Sequence, residues 1–173
     1  ADREGRVWTY MAVGPFASFE DFDQWMETAS KSTDPLFFAI IDEKTNLAVG
    51  YASYLRVDPA NGVIEVGNIT FSPQLQKTDV ATEAMYLMMK QVLSAWGYRR
   101  YEWKCDSLNG PSKAAALRYG FTFEGLFRQA VIYKNRNRDT AWFSITDGEW
   151  PKIEAAFVGW LSPDNRDGDG LQI

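Results

Sequence analysis

The 173-residue sequence contains no histidine and a single cysteine, Cys105. Without histidine there is no Ser-His-Asp triad and no His-ligated zinc, and one cysteine can neither close an internal disulfide nor build a Cys-based metal site. Proton transfer is left to carboxylates, lysine, tyrosine, hydroxyls and water, and no metal is expected. So little cysteine points to a reducing, cytoplasmic compartment. Apolar runs are short too, none approaching the ~20 residues of a bilayer-spanning helix. The chain opens without a charged-then-apolar leader, so no membrane partner is expected. Basic residues are outnumbered, 18 Lys and Arg against 23 Asp and Glu, for a net charge of −5. That balance argues against a nucleic-acid partner and requires any bound polyphosphate to be held by local geometry.

What is present suffices for one core: 46% of the residues are apolar and 15% aromatic. A single domain is expected over residues 1–162, with a flexible Asp- and Gly-rich tail over 163–173. Because the chain starts at Ala1 rather than Met, segments upstream of it are expected to be missing. Ser18 is an N-cap residue, and Phe19, Phe22, Trp25, Met26 and Ala29 recur at helical spacing, which predicts a helix over 19–30. Short apolar runs at 36–42, 48–56 and 63–71, separated by turn-forming residues, predict a three-stranded meander. Pro73 stops the sheet, and Ala81, Ala84, Met85, Met88, Val92, Ala95 and Trp96 predict a helix over 81–96 closed by Gly97. A strand over 100–105 makes this a parallel strand-helix-strand unit. A short helix over 112–119, strands over 121–133 and 140–145 joined by a polar turn at 134–139, and a helix over 150–161 complete the reading.

The informative stretch runs from Gly67 to Phe121. A strand ending at Phe71, a polar loop and the small-residue helix start at Val80, Ala81 and Thr82 aim free backbone N–H groups at whatever lies above the helix N-terminus, a place that favours an anion. The loop has two readings, an ordinary capped helix or a pyrophosphate cradle aided by Lys77 and the hydroxyls of Thr78 and Thr82.

Within this stretch Gln76-Lys77-Thr78-Asp79-Val80-Ala81 resembles the Q/R-x-x-G-x-G/A acyl-CoA signature of GNAT acetyltransferases. Ala81-Thr82-Glu83-Ala84, Glu65-Val66-Gly67, Asn109-Gly110-Pro111-Ser112, Gly120-Phe121 and Glu124-Gly125 resemble, in order and spacing, the Rim-type ribosomal-protein N-terminal acetyltransferase branch. The resemblance covers roughly two thirds of the chain. It implies an α+β GNAT acyl-CoA N-acyltransferase fold: a mixed, mostly antiparallel central sheet splayed in its middle and flanked by helices on both faces. It further implies acetyl-CoA as co-substrate, with pantetheine along Ile69 and Phe71. The pyrophosphate would then lie on the segment Gln76, Lys77, Thr78, Asp79, Val80, Ala81 and Thr82, with Asn109 and Ser112 also in contact. The family places a strand and helix ahead of this region, and at least the strand is expected to be absent here.

Amine acetylation needs a neutral nucleophile, stabilisation of the developing oxyanion and a protonated leaving thiolate. By resemblance Glu65 is the candidate base, its other reading being a structural carboxylate, and Ser112 the candidate acid, its other reading being the cap of its own helix. Asp79 stands where the family has Gly, putting a negative charge where phosphate must approach, unless it turns outward and caps the helix. Cys105 reads as buried packing, Tyr119 as packing against the sheet, Glu83 as a structural acceptor, Trp96, Trp103, Trp142 and Trp150 as core and interface anchors, and the 134–138 charge run as a solvated turn. Two functions are open: an N-acetyltransferase acting on a small-molecule amine or a protein N-terminus, or a catalytically weak module that binds acyl-CoA or a protein partner. A homodimer is left open.

Overall fold

The computed structural model describes residues 5–167. Ser18 opens the first helix, α1 (Phe19–Ser30), with a reciprocal cap: its hydroxyl accepts from the Asp21 amide while the Asp21 carboxylate accepts from the Ser18 amide. The expected meander follows as β1 (Leu36–Asp42), β2 (Leu47–Asp58) and β3 (Val63–Phe71), paired antiparallel. Helix α2 (Asp79–Lys90) crosses to β4 (Arg100–Asp106), which runs parallel to β3. Helix α3 (Gly110–Arg118), the hairpin of β5 (Thr122–Tyr133) and β6 (Arg136–Thr146), and α4 (Trp150–Leu161) complete the chain's main elements. The strands form one six-stranded sheet in the order β1-β2-β3-β4-β6-β5.

The one parallel contact is short. β3 and β4 pair only from Val63 opposite Arg100 to Val66 opposite Trp103. Beyond that point Gly67–Phe71 and Lys104–Asp106 no longer share a ladder, and the sheet forks between its central strands as the resemblance implies.

Strand alternation then sorts the side chains. Tyr101, Trp103 and Cys105 of β4 and Ala141, Phe143 and Ile145 of β6 join Ile64, Val66, Met85 and Phe157 in the main core beneath α2, α3 and α4. The large aliphatic and aromatic side chains among them each contribute about 1.5–3 kcal/mol by leaving water. The intervening residues, Arg100, Glu102, Lys104 and Asp106 on β4 with Thr140, Trp142 and Ser144 on β6, face the other way. On that side α1 covers the β1–β2 half, with the Trp25 ring 5.8 Å from Phe37 and 5.5 Å from Tyr51.

Four local expectations are corrected. Helix α2 starts at Asp79 rather than 81, because Thr78 Oγ1 accepts from the Ala81 amide at 3.2 Å. Its continuation, Gln91–Ala95, is a π-turn in which the Trp96 amide donates to the Gln91 carbonyl at 3.0 Å. The widened turn shifts the helix phase, so Leu93 is buried while Trp96 is 47% exposed and packs on Tyr54 at the rim of the core, whereas Trp103 and Trp150 are buried within it. Asn109, not Ser112, caps α3, its Oδ1 accepting from the Ser112 amide at 3.1 Å. Finally, the polar run 134–139 is no solvated turn. Only Lys134 and Asn135, both left-handed at φ 48 and 58, make the turn, and β6 begins at Arg136. At the C-terminal end, Pro163–Asn165 forms a 3-10 turn; residues 168–173 of the expected tail lie outside the described residues.

Candidate active site

At the closed end of the fork, β3 contributes Glu65 and β4 contributes Lys104, the first residue past the paired stretch. Both are buried. Lys104 Nζ donates to Glu65 Oε2 at 2.8 Å and to Glu102 Oε2 at 2.7 Å, and sits 3.8 Å from the centroid of the Trp142 ring. Arg56 Nε approaches Glu65 Oε2 at 3.2 Å from β2. The network continues outward: Arg100 Nε donates to Glu102 at 2.7 Å and its terminal nitrogens clasp Glu124, which also accepts from Ser144 Oγ at 2.7 Å.

The same cations act differently on the three carboxylates. Burial dominates at Glu65 and raises its carboxyl above the ordinary range even though Lys104 and Arg56 favour the ion. At Glu102 burial also pushes upward, but the hydrogen bonds from Lys104 and Arg100 prevail and the carboxyl is lowered. At Glu124 the Arg100 hydrogen bonds lead and hold it at about 2. Glu65 is therefore the member of the network that gives up its charge most readily. Its second oxygen lies toward Gly67, the next residue on that face of β3: a Cβ there would stand 3.8 Å from Glu65 Oε1 and 2.9 Å from Leu55 Cδ2, so glycine leaves room beside the carboxylate.

Ser112 stands on the opposite, helix-bearing side of the sheet. Its Oγ accepts from Trp103 Nε1 at 3.0 Å and lies within hydrogen-bonding reach of Cys105, whose thiol burial pushes up. Cys105 is buried packing, as expected, and the buried Tyr119 ring lies 6.1 Å from that of Trp103. Glu83 is exposed. Glu65 and Ser112 thus flank the fork from its two faces and do not touch each other.

Past the fork's open end lies the loop into α2. Gln76 Nε2 donates to the Phe71 carbonyl at 3.0 Å and so ties the loop to the end of β3, while Ile69 and Phe71 pack half-buried against the core. Lys77 is exposed, in a left-handed turn at φ 63. The threonine hydroxyls are engaged internally: Thr78 Oγ1 donates to the Leu75 carbonyl at 2.7 Å, and Thr82 Oγ1 donates to the Thr78 carbonyl at 3.3 Å. Asp79 points outward, its carboxylate paired with Arg166 Nη2 at 2.6 Å. Arg118 Nη2 donates to Thr82 Oγ1 at 3.1 Å. The helix start therefore has Lys77 and Arg118 beside it, while Arg166 neutralises Asp79, the carboxylate of the first turn, a donor set that suits a polyphosphate. Val80 and Ala81 lie in the first helical turn, where Ala81 is buried.

Sequence reasoning missed Glu102, Lys104, Asp106, Tyr133 and Arg136. Asp106 is buried at the end of β4, accepting from Tyr133 Oη at 2.7 Å, from the Leu108 amide at 2.9 Å and from Arg136. Those donors outweigh its burial and lower its carboxyl, whereas burial, with Asp106 beside it, pushes the Tyr133 hydroxyl up to about 12. The signal was present in the alternation Arg100, Glu102, Lys104, Asp106: four charges at every second position of a strand that share one face. The N-terminal segment crosses this face, with Tyr10 Oη donating to the Leu108 carbonyl at 3.0 Å, Met11 Sδ 3.8 Å from Thr70 Oγ1, and Lys134 Nζ donating to the Trp8 carbonyl at 2.6 Å.

Comparison with known proteins agrees with this geometry. Residues 1–122 match the profile of the acetyltransferase (GNAT) domain. A GCN5-related N-acetyltransferase from Brucella melitensis has a crystal structure that superimposes with a TM-score of 0.96 at 48% identity, over 99% of this chain and 78% of that one. A probable GNAT-family acetyltransferase from Chromobacterium violaceum gives a TM-score of 0.81 at 41% identity, over 86% and 75% of the two chains. The ribosomal-protein-serine acetyltransferase of Escherichia coli is 27% identical over 96 residues, 56% of this chain. The match spans 53% of that relative's length, and the likeness falls in the branch that the motifs resemble.

Proposed function

The chain belongs to the acetyltransferase (GNAT) domain family, and from that premise we propose that it moves an acetyl group from acetyl-CoA to an amine by direct attack in a ternary complex. The observation that carries this reading is the fork itself: two central strands that stop pairing after Val66 and Trp103, with Glu65 at the closed end and the cation-lined start of α2 at the open end.

Bound acetyl-CoA supplies the activated thioester. The chain's own residues supply the rest. The segment Gln76–Thr82, with Arg118 beside it, holds the phosphates, and the unpaired backbone edges near Ile69 and Phe71 hold the amide arm. Glu65 Oε1, the oxygen that the Lys104 and Arg56 contacts leave open, takes the amine's proton, directly or through one water. Its raised carboxyl brings it closer to an amine than an exposed glutamate would be. Ser112, on the other face and oriented by the hydrogen bond it accepts from the Trp103 indole N–H, passes a proton to the departing sulfur and regains one from water, an undemanding task because a thiolate with a pKa around ~8.5 leaves readily. A structural role for Glu65 within the Lys104 network is the competing reading.

Calorimetric titration with acetyl-CoA followed by a thiol-release screen of amines tests the proposal. Binding in the micromolar range and turnover on at least one amine are expected. Absence of binding at millimolar acetyl-CoA would remove the transferase reading, and binding without turnover would favour the catalytically weak module.

A further inference from the structure

An aspartate in the first turn of a helix is favoured there, because its carboxylate is drawn to the positive end of the helix dipole and to the free amides. At α2 that preference works against an incoming phosphate. Thr78 Oγ1 accepts from the Ala81 amide at 3.2 Å and the Thr82 amide closes on the Thr78 carbonyl at 3.3 Å, so the amides of Asp79 and Val80 are those left for an anion. Asp79 stands at that spot. Left to itself, its carboxylate competes for the same amides and repels any phosphate that approaches them.

A residue far along the chain prevents this. Arg166 Nη2 holds Asp79 Oδ2 at 2.6 Å, with the arginine side chain 23% exposed against 55% for the aspartate, so the arginine is the anchored partner. Its anchorage is local. After α4 the Ser162 hydroxyl accepts from the Asp164 amide at 3.2 Å, and Asn165 donates from its amide to the Ser162 carbonyl at 3.0 Å and from Nδ2 to the Trp160 carbonyl at 3.1 Å. The Arg166 guanidinium lies 5.5 Å from the centroid of the Trp160 ring, and that of Arg118 lies 5.8 Å from the same ring. One indole thus steadies two arginines on the first turn of α2, Arg118 at the Thr82 hydroxyl and Arg166 at the Asp79 carboxylate. Asp79 is the one acceptor of the Arg166 side chain among the described residues. An ion pair this exposed adds little to the fold; what it changes is the field at the helix start.

We propose that Arg166 is a positioning residue for the co-substrate: it holds the Asp79 carboxylate outward and cancels its charge, and so turns an acidic helix start into a phosphate seat. The segment that follows α4 then belongs to the acyl-CoA site. The inference rests on the transferase reading, from which it takes the placement of the phosphates on Gln76–Thr82. It accounts for an aspartate at the position where the signature has glycine, and it makes co-substrate affinity depend on a residue remote from both the thioester and the acceptor.

The test is calorimetric titration of CoA into the wild-type protein, Arg166→Gln, Arg166→Lys and the double variant Asp79→Asn/Arg166→Gln, each at low and at high salt. At low salt Arg166→Gln should weaken CoA about tenfold, the scale of one carboxylate facing a phosphate a few ångströms away in a largely aqueous setting. The loss should shrink below about threefold in about 0.5 M salt, where charges are screened within roughly 4 Å. Removing the Asp79 charge as well should bring the low-salt affinity back to within about threefold of wild type, and Arg166→Lys should stay close to wild type. In turnover the loss should fall on KM for acetyl-CoA and leave kcat in place. Unchanged CoA affinity in Arg166→Gln overturns the proposal. So does a loss that neither salt nor Asp79→Asn relieves, which would make Arg166 a prop of the C-terminal segment. A protein that shows the loss, its salt dependence and its rescue but releases no thiol with any amine keeps this inference and sinks the transferase reading. One that acetylates amines with the same KM for acetyl-CoA in wild type and Arg166→Gln does the reverse, and absence of CoA binding in every variant overturns both.

Discussion

The two faces of β4 and β6 come from the same residues taken alternately, yet they are different materials. One presents Tyr101, Trp103, Phe143 and Ile145, all buried among apolar neighbours. The other presents Glu102, Lys104, Asp106, Thr140 and Trp142, where charges compensate one another across strands and several donors are left over. A face of the first kind is insensitive to pH and salt and costs stability when thinned. A face of the second kind contributes little net stability, because desolvating ions offsets much of their attraction, but it fixes where protons and charges can reside. The contrast separates the part of the sheet that keeps the molecule folded from the part that can do chemistry.

The largest blow to that contrast should come from the apolar side. Phe143→Ala is expected to cost about 4 kcal/mol in urea unfolding while leaving the acetyl-CoA affinity of the folded fraction near wild type; a loss below about 1 kcal/mol would mean the core is not where the alternation puts it. Lys104→Met is expected to cost about 3 kcal/mol, since it leaves Glu65 and Glu102 buried side by side with Arg56 and Arg100 as partial compensation. If it proved neutral, the network would be ornamental. Glu65→Gln should lower kcat about a hundredfold with unchanged acetyl-CoA affinity. The wild-type acid limb of kcat/KM should lie above the ordinary glutamate range, because Glu65 must ionise from a raised value, and that limb should vanish in the variant. Unchanged turnover would reduce Glu65 to a structural carboxylate.

Acid titration of stability probes the same face more gently. Glu124 is held at about 2 against an ordinary 4.5, so its contribution is present above 4.5 and is lost as pH falls from there toward 2. Glu124→Gln should flatten the fall in melting temperature over that window, and an identical acid slope would contradict the Arg100 clasp. The smallest effect is expected at the loop. Asp79→Gly should tighten acetyl-CoA binding by about threefold, the scale of an exposed ion pair; weaker binding would show that Asp79 helps to seat the loop.

Much of the scaffold was legible because its signals are local. The Ser18 cap, the apolar period of α1, the stop at Pro73 and the left-handed Gly97 at φ 67 are each written within a few residues of where they act. The loop to α2 and Glu65 were singled out by resemblance to family motifs, which are also short stretches of contiguous sequence. Lys104 was not, because Glu65 and Trp142, which give it its place in the site, lie across strands, 39 positions away in the case of Glu65. Register is a property of the assembled sheet rather than of any window of sequence. The 134–138 run failed for a related reason: Arg136 and Arg138 look like solvent residues until the tight turn at Lys134 and Asn135 pulls them onto β6, with Arg136 against Asp106.

The fork also bears on how the protein stays apart from its neighbours. A strand with unpaired amides and carbonyls is normally a template for another chain, and proteins blunt such edges with charge, bulges or cover. Here two strand edges, one on β3 after Val66 and one on β4 after Trp103, are kept open inside the sheet, with helices on one face and the N-terminal segment across the other. A gap that is closed at one end and walled on both faces admits a single narrow, extended guest and excludes a second strand with its side chains. The molecule can therefore hold open a stretch of unsatisfied backbone without offering it for aggregation.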